Sequence, residues 1–131
     1  MVSIKKEILK ELISISKDNK PNEVAAYLFK DNTVVKRIIT TDESPAHFVE
    51  TNTEIVLEWI NDYGKPTAIF HSHPMGAQPS MTDITYMSTT IPFYGCVWLI
   101  MSGDYKLKAW DIWVRDRDSC TIKELEVKII E

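Results

Sequence analysis

The segment from Pro66 to Asp83, PTAIFHSHPMGAQPSMTD, constrains the fold and function of this chain more than any other. Its first half is an apolar run that ends in two histidines, which is typical of a strand that ends at the edge of a sheet. Side chains two positions apart on a strand point to the same face, so His71 and His73 are predicted to lie side by side. Two imidazoles placed in this way can bind one metal ion.

Asp83 is the candidate third ligand, because catalytic zinc is commonly held by three side chains of the His, Asp or Glu type, with the fourth position left to water. A helix is predicted to follow Ser80, over about Met81 to Thr89, and a serine followed three residues later by an acid can cap a helix. A lone His-x-His pair is also common without any metal. Capping and metal binding are compatible, and spacing alone does not separate them.

Composition and charge narrow the class of protein. A chain of 131 residues with 44% hydrophobic and 26% charged residues is typical of one globular domain, and we expect a single domain over residues 1–131. A net charge of -4 argues against nucleic acid as a partner. Cys96 and Cys120 form neither a disulfide framework nor a cysteine zinc site. With no secretory signal and no run long enough to span a membrane, we expect a cytoplasmic protein without membrane contacts.

Hydrophobic periodicity predicts helices and strands around one sheet, which is an α+β fold class. One helix is predicted from about Ser3 to Lys17, and another from about Asn52 to Tyr63 with Gly64 as its stop. EVAAYLFK and VVKRIITT are predicted to pair as a hairpin around the turn DNT. Four tryptophans are interpreted as core or interface aromatics. These tryptophans are Trp59, Trp98, Trp110 and Trp113. The remaining predicted strands are PTAIFHSH, GCVWLIM, YKLKAWDIWV and LEVKII.

Glu23 is the candidate general base for hydrolysis assisted by a metal. Such a reaction needs a group that takes a proton from the attacking water and passes it to the leaving group, and a carboxylate beside the metal does this well. Glu23 opens the predicted strand EVAAYLF, where its side chain can lean over the end of a neighbouring strand. An ordinary solvated acid at the start of a strand explains the same position.

Together these residues resemble the JAMM motif of the JAB1/MPN/Mov34 family of zinc metalloproteases. A glutamate opens an early strand, a His-Ser-His-Pro strand end follows, and Pro-Ser-x-x-Asp begins a helix. The resemblance implies a mixed sheet flanked by helices, similar to that of cytidine deaminases. It also implies Zn²⁺ held by His71, His73 and Asp83, with Glu23 activating the attacking water and Ser80 stabilising the oxyanion. The segment from Pro74 to Thr82 is one residue shorter than is usual in the family.

The same resemblance implies a substrate class. The expected reaction is hydrolysis of a peptide or isopeptide bond at the C-terminal tail of a ubiquitin-like or sulfur-carrier protein. A related enzyme would remove a single amino acid from a sulfur carrier, and members of another class are non-catalytic MPN scaffolds. A relative associated with DNA repair shares a His-x-His-Pro motif, but the acidic charge argues against it. No feature of the sequence favours a particular oligomeric state.

Overall fold

The computed structural model describes residues 1–18, 24–38, 53–73, 76–77, 97–114 and 120–131. Within these ranges the chain forms two helices and eight strands. In chain order they are β1 (Val2–Lys5), α1 (Lys6–Asp18), β2 (Ala25–Phe29), β3 (Val34–Ile38), α2 (Thr53–Tyr63), β4 (Ala68–Ser72), β5 (Val97–Met101), β6 (Leu107–Val114), β7 (Cys120–Leu125) and β8 (Val127–Ile130).

Six of these strands form one mixed sheet with the order β3-β2-β4-β5-β6-β7, and β1 and β8 form a separate parallel pair. Within the large sheet β4 and β5 run parallel, whereas every other neighbouring pair is antiparallel. A mixed sheet with two helices confirms the predicted α+β class. The strand β4 is hydrogen-bonded on both edges, to β2 and to β5, so the backbone that carries the histidines is held from two sides.

The two helices contribute to different cores. Successive side chains of a strand point to opposite faces, and on β4 Phe70 packs in one core whereas Ile69 packs in the other. The α1-side core includes Ile4, Ile8, Leu12, Ala26, Leu28, Ala68, Phe70, Leu99 and Met101. The α2-side core includes Tyr27, Phe29, Val56, Ile69, Trp98, Ile100 and Trp110, with Trp59, Ile60 and Tyr63 of α2 packed against it.

The structure contains the predicted stop of the second helix and the predicted hairpin. The helix α2 stops at Gly64, whose φ of 85° is the left-handed conformation that glycine adopts most readily, and the Gly64 N–H donates to the Ile60 carbonyl at 2.8 Å. The predicted hairpin is also present. Its strands β2 and β3 pair from Ala25 opposite Ile38 to Phe29 opposite Val34, and the turn DNT closes it.

The predicted first helix begins too early. The structure forms β1 over Val2–Lys5 and starts α1 at Lys6. Val2 and Ile4 are buried while Ser3 and Lys5 are exposed, which is the alternation of a strand, and β1 pairs with β8 from the far end of the chain. A partner so distant in sequence overrides a helical spacing that Ile4 also happens to satisfy.

The C-terminal segment LEVKII was predicted as one strand and forms parts of two. The strand β7 begins earlier, at Cys120, and pairs with β6, whereas β8 begins at Val127 and pairs with β1. Glu126 lies between them, and its carbonyl accepts a hydrogen bond from the Val2 N–H at 2.7 Å. The chain therefore changes from one sheet to the other at a single residue. Neither described helix has the length and apolar character needed to cross a lipid bilayer.

Candidate metal centre

His71 and His73 lie at the carboxyl end of β4, as the alternation of the strand predicted. The ring nitrogens Nε2 of the two histidines are 2.9 Å apart, and the ring centroids are 4.7 Å apart. His71 is 1% exposed and projects on the α2 side, where its ring and the Trp98 indole form a T-shaped pair with centroids 5.4 Å apart. His73 follows the last residue of the strand and is partly exposed.

The protonation of His73 follows from its partner on the next loop. The His73 Nδ1 lies 3.0 Å from the Gly76 carbonyl oxygen, and a carbonyl oxygen can only accept, so Nδ1 carries the proton and donates. In the neutral ring the His73 Nε2 then presents a lone pair towards the Nε2 of His71. A histidine that donates Nδ1–H to a backbone carbonyl while Nε2 holds a lone pair is in the tautomer that binds metals through Nε2.

The spacing of the two Nε2 atoms can be tested against a zinc ion. Tetrahedral zinc with Zn–N distances of about 2.0–2.1 Å needs two ligand nitrogens about 3.3 Å apart. The observed 2.9 Å is the distance of a hydrogen bond between the rings, in which the His71 Nε2–H donates to the His73 Nε2 when both rings are neutral. Binding a zinc ion in place of that hydrogen bond requires the His71 proton to move from Nε2 to Nδ1 and the rings to separate by about 0.4 Å, which is within the reach of side-chain rotation. The pair therefore fits a zinc ion as two of its nitrogen ligands.

The backbone around the histidines is fixed by hydrogen bonds from two neighbouring elements. The His73 N–H donates to the Met101 carbonyl at 2.7 Å, which ties the end of β4 to the end of β5. On the other edge, the Ser72 N–H donates to the Val24 carbonyl at 2.9 Å, and the Val24 N–H donates to the Ser72 Oγ at 3.0 Å. Two hydrogen bonds therefore join the residue between the histidines to the residue that follows Glu23 in the sequence.

The other predicted site residues, Glu23, Ser80 and Asp83, lie outside the described residues. Within the part of the chain that the structure describes, no group of three His, Cys, Asp or Glu side chains is placed to hold a metal ion. The described half of the site is therefore the histidine pair with its supporting bonds.

Sequence reasoning missed two residues of this support. Ser72 is buried between the histidines, and a hydroxyl in a buried strand needs a hydrogen-bond partner, so a signal was present in the sequence. Trp110 was interpreted only as a core or interface aromatic, yet its Nε1–H donates to the carbonyl of Ala77, four residues after His73, at 2.9 Å. That contact joins residues 33 positions apart, and no local pattern indicates it.

The architecture of the chain is that of one class of proteins. Its helices pack on a mixed sheet, which is the α+β fold of JAB1/MPN domains. Residues 5–114 match the prokaryotic homologs of the JAB domain, and the chain belongs to this family. The predicted resemblance to the JAB1/MPN/Mov34 family is thereby confirmed, whereas the single domain over residues 1–131 stays a prediction. No curated protein matches the chain.

Solved structures of low sequence identity share the fold. A protein from Desulfitobacterium hafniense superposes with a TM-score of 0.72 at 22% identity, over 100% of this chain and 94% of the other. A JAB1/MPN domain protein from Archaeoglobus fulgidus gives 0.57 at 21% identity, over 98% and 99%. A structure described as a JAMM metalloprotease-like zinc site in the proteasome and signalosome gives 0.57 at 19% identity, over 100% and 99%. Identities this low show the fold and no more.

Proposed function

We propose that the protein is a zinc-dependent metallopeptidase that hydrolyses a peptide or isopeptide bond at the C-terminal tail of a ubiquitin-like or sulfur-carrier protein. The observation that carries the proposal is the facing pair of Nε2 atoms of His71 and His73, with the His73 tautomer set by the Gly76 carbonyl. This donor set suits zinc, which favours imidazole nitrogen in catalytic sites. Membership in the JAB family supports the proposed reaction class, and the substrate class comes from the resemblance to the JAMM motif.

In this proposal His71, His73 and Asp83 would hold the zinc ion. A zinc ion in a site with an open position supplies Lewis-acid chemistry, because it polarises carbonyl groups and lowers the pKa of water. Glu23 takes a proton from the water that attacks the scissile carbonyl and delivers it to the leaving amine. Ser80 donates a hydrogen bond to the oxyanion of the tetrahedral intermediate.

The pairing of β2 with β4 supports the assignment of Glu23. Glu23 is bonded to Val24, and both backbone polar groups of Val24 are hydrogen-bonded to Ser72, which lies between the two histidines. The chain is therefore held beside the histidine pair within one residue of this carboxylate. A general base must lie within hydrogen-bond reach of the water that it deprotonates, and the attachment of Val24 to Ser72 supports the choice of Glu23 for this role.

The test measures zinc content and cleavage together. Wild-type protein, Glu23→Gln, His71→Ala and Glu54→Gln are purified without chelator and supplied with zinc. Each is then incubated with two fusions, in which the tail of a ubiquitin-like protein or of a sulfur carrier precedes a reporter. We expect about one zinc per chain in the wild type and in Glu23→Gln, with cleavage by Glu23→Gln reduced roughly 10²- to 10⁴-fold. His71→Ala should lose both zinc and cleavage. Glu54→Gln, the control, removes an exposed carboxylate of α2 and should retain both.

Three results would contradict different parts of the proposal. If the wild-type protein contained no zinc at saturating supply, the proposed metal centre would be contradicted. Wild-type activity in Glu23→Gln would remove the proposed base and leave the metal centre in place. A zinc-loaded wild type that cleaves neither ubiquitin-like nor sulfur-carrier fusions would remove the substrate class.

A further inference from the structure

Ala77, four residues after His73, is held by a tryptophan from a different part of the sheet. Trp110 lies on β6, which is separated from β4 by β5, and its indole Nε1–H donates to the Ala77 carbonyl at 2.9 Å. Both residues are buried, at 9% exposure for Trp110 and 6% for Ala77, and both belong to the α2-side core. A buried hydrogen bond to a packed residue fixes the Ala77 backbone relative to the sheet.

The residue before Ala77 sets the tautomer of a candidate metal ligand. The Gly76 carbonyl accepts from the His73 Nδ1–H at 3.0 Å, and the carbonyl carbon of Gly76 is bonded to the nitrogen of Ala77. Gly76 is exposed, and a Cβ atom built on it would meet no heavy atom within 4 Å. Glycine has the widest backbone freedom of any residue. The direction of the Gly76 carbonyl therefore depends on how firmly Ala77 is held.

We propose that Trp110 is a positioning residue for the metal ligand His73. The indole N–H holds Ala77, Ala77 fixes the direction of the Gly76 carbonyl, and that carbonyl keeps the proton of His73 on Nδ1 so that Nε2 points its lone pair at the metal position. The proposal deepens the proposed function and rests on it, because the metal concerned is the zinc ion of that site. Groups that orient a metal-binding histidine typically change metal affinity 10- to 100-fold when they are removed.

Trp110→Phe is the direct test, since it removes the indole N–H and keeps an aromatic ring in the core. Trp59→Phe is the matched control, because Trp59 also packs against the α2-side core, with its ring 6.5 Å from that of Tyr27. Zinc affinity is measured by competition with a chromophoric chelator. We expect Trp110→Phe to bind zinc about 10-fold or more weakly than the wild type, and Trp59→Phe to stay within about twofold.

A second measurement needs no metal. In the ¹⁵N spectrum of the metal-free wild type, the His73 ring should show the single tautomer with the proton on Nδ1, and Trp110→Phe should show a mixture of both neutral tautomers. A role of Trp110 in core packing alone would leave this signature unchanged. In the wild type, the indole N–H of Trp110 should also exchange with solvent more slowly than that of Trp59, which requires no variant.

The outcomes separate this proposal from the proposed function. Folded Trp110→Phe with wild-type zinc affinity and an unchanged His73 tautomer would overturn it, as would rapid exchange of the Trp110 indole N–H in the wild type. If the wild type binds no zinc, the proposed function fails. The tautomer and exchange measurements then still decide whether Trp110 positions His73, and a change of tautomer in Trp110→Phe would support that role.

Discussion

Replacing Ser72 by alanine tests how strongly the strand of the histidines is joined to β2. The Ser72 Oγ accepts the hydrogen bond of the Val24 N–H, and Val24 is 4% exposed, so the substitution leaves a buried donor without this acceptor. Leaving a buried polar group unsatisfied costs about 1–3 kcal/mol of the free energy of unfolding. At about 2 kcal/mol and a urea m-value of about 2 kcal/mol per M, the unfolding midpoint should fall by about 1 M.

Ser16→Ala is the matched control for this prediction. Ser16 is buried like Ser72, with 4% of its surface exposed. Its Oγ, however, donates to the Leu12 carbonyl, which already accepts a backbone hydrogen bond within α1. Its removal leaves no donor without an acceptor, and alanine favours the helix, so the free energy of unfolding should change by less than about 0.5 kcal/mol. Urea unfolding and amide exchange of Val24 are measured for both variants. Equal destabilisation, or unchanged exchange of the Val24 amide in Ser72→Ala, would refute the reasoning.

Two further predictions test the stop of α2 and the packing of α1 on the sheet. Gly64→Ala should lower the free energy of unfolding, measured by thermal unfolding, by about 1–2 kcal/mol. The space around a new Cβ is open, so the cost comes from the left-handed φ of 85°. An unchanged free energy of unfolding would contradict the assigned helix stop. Leu12→Ala leaves a cavity at a fully buried position of the α1-side core and should lower the free energy of unfolding by about 2–5 kcal/mol. Its control, Leu57→Ala on α2, removes a side chain that is 63% exposed and should lower it by less than about 0.5 kcal/mol; both are measured by urea unfolding. Similar costs for the two leucines would contradict the packing of α1 on the sheet.

Local patterns predicted those parts of the fold that local interactions determine. The helix α2 ends at Gly64 because glycine adopts the left-handed conformation, and the hairpin forms because a polar turn separates two apolar runs. The strand β1 could not be predicted in this way, since its partner β8 lies at the other end of the chain. Ile4 satisfies both a helical spacing with Ile8 and a strand alternation with Val2, and only pairing between distant segments decides between them.

The same distinction applies to the candidate site. His71 and His73 are two residues apart on one strand, so the period of a strand was enough to predict that their rings meet. Their support was hidden because it comes from residues far away in sequence, with Val24 48 positions from Ser72 and Trp110 33 positions from Ala77. An unaligned sequence can indicate which side chains share a strand, but the register between distant strands depends on the packing of the whole sheet.

The supporting bonds fix the backbone of the histidine pair from three sides. Its strand is joined to β5 through Met101 and to β2 through Val24, and the loop that orients His73 is joined to β6 through Trp110. Because three different elements hold one short segment, the backbone that carries the two rings is fixed, and a small rotation of the side chains increases the observed Nε2 distance of 2.9 Å enough to admit a zinc ion. Folding therefore orders the backbone of both candidate histidine ligands, and loss of any one of these bonds should weaken zinc binding as well as the fold.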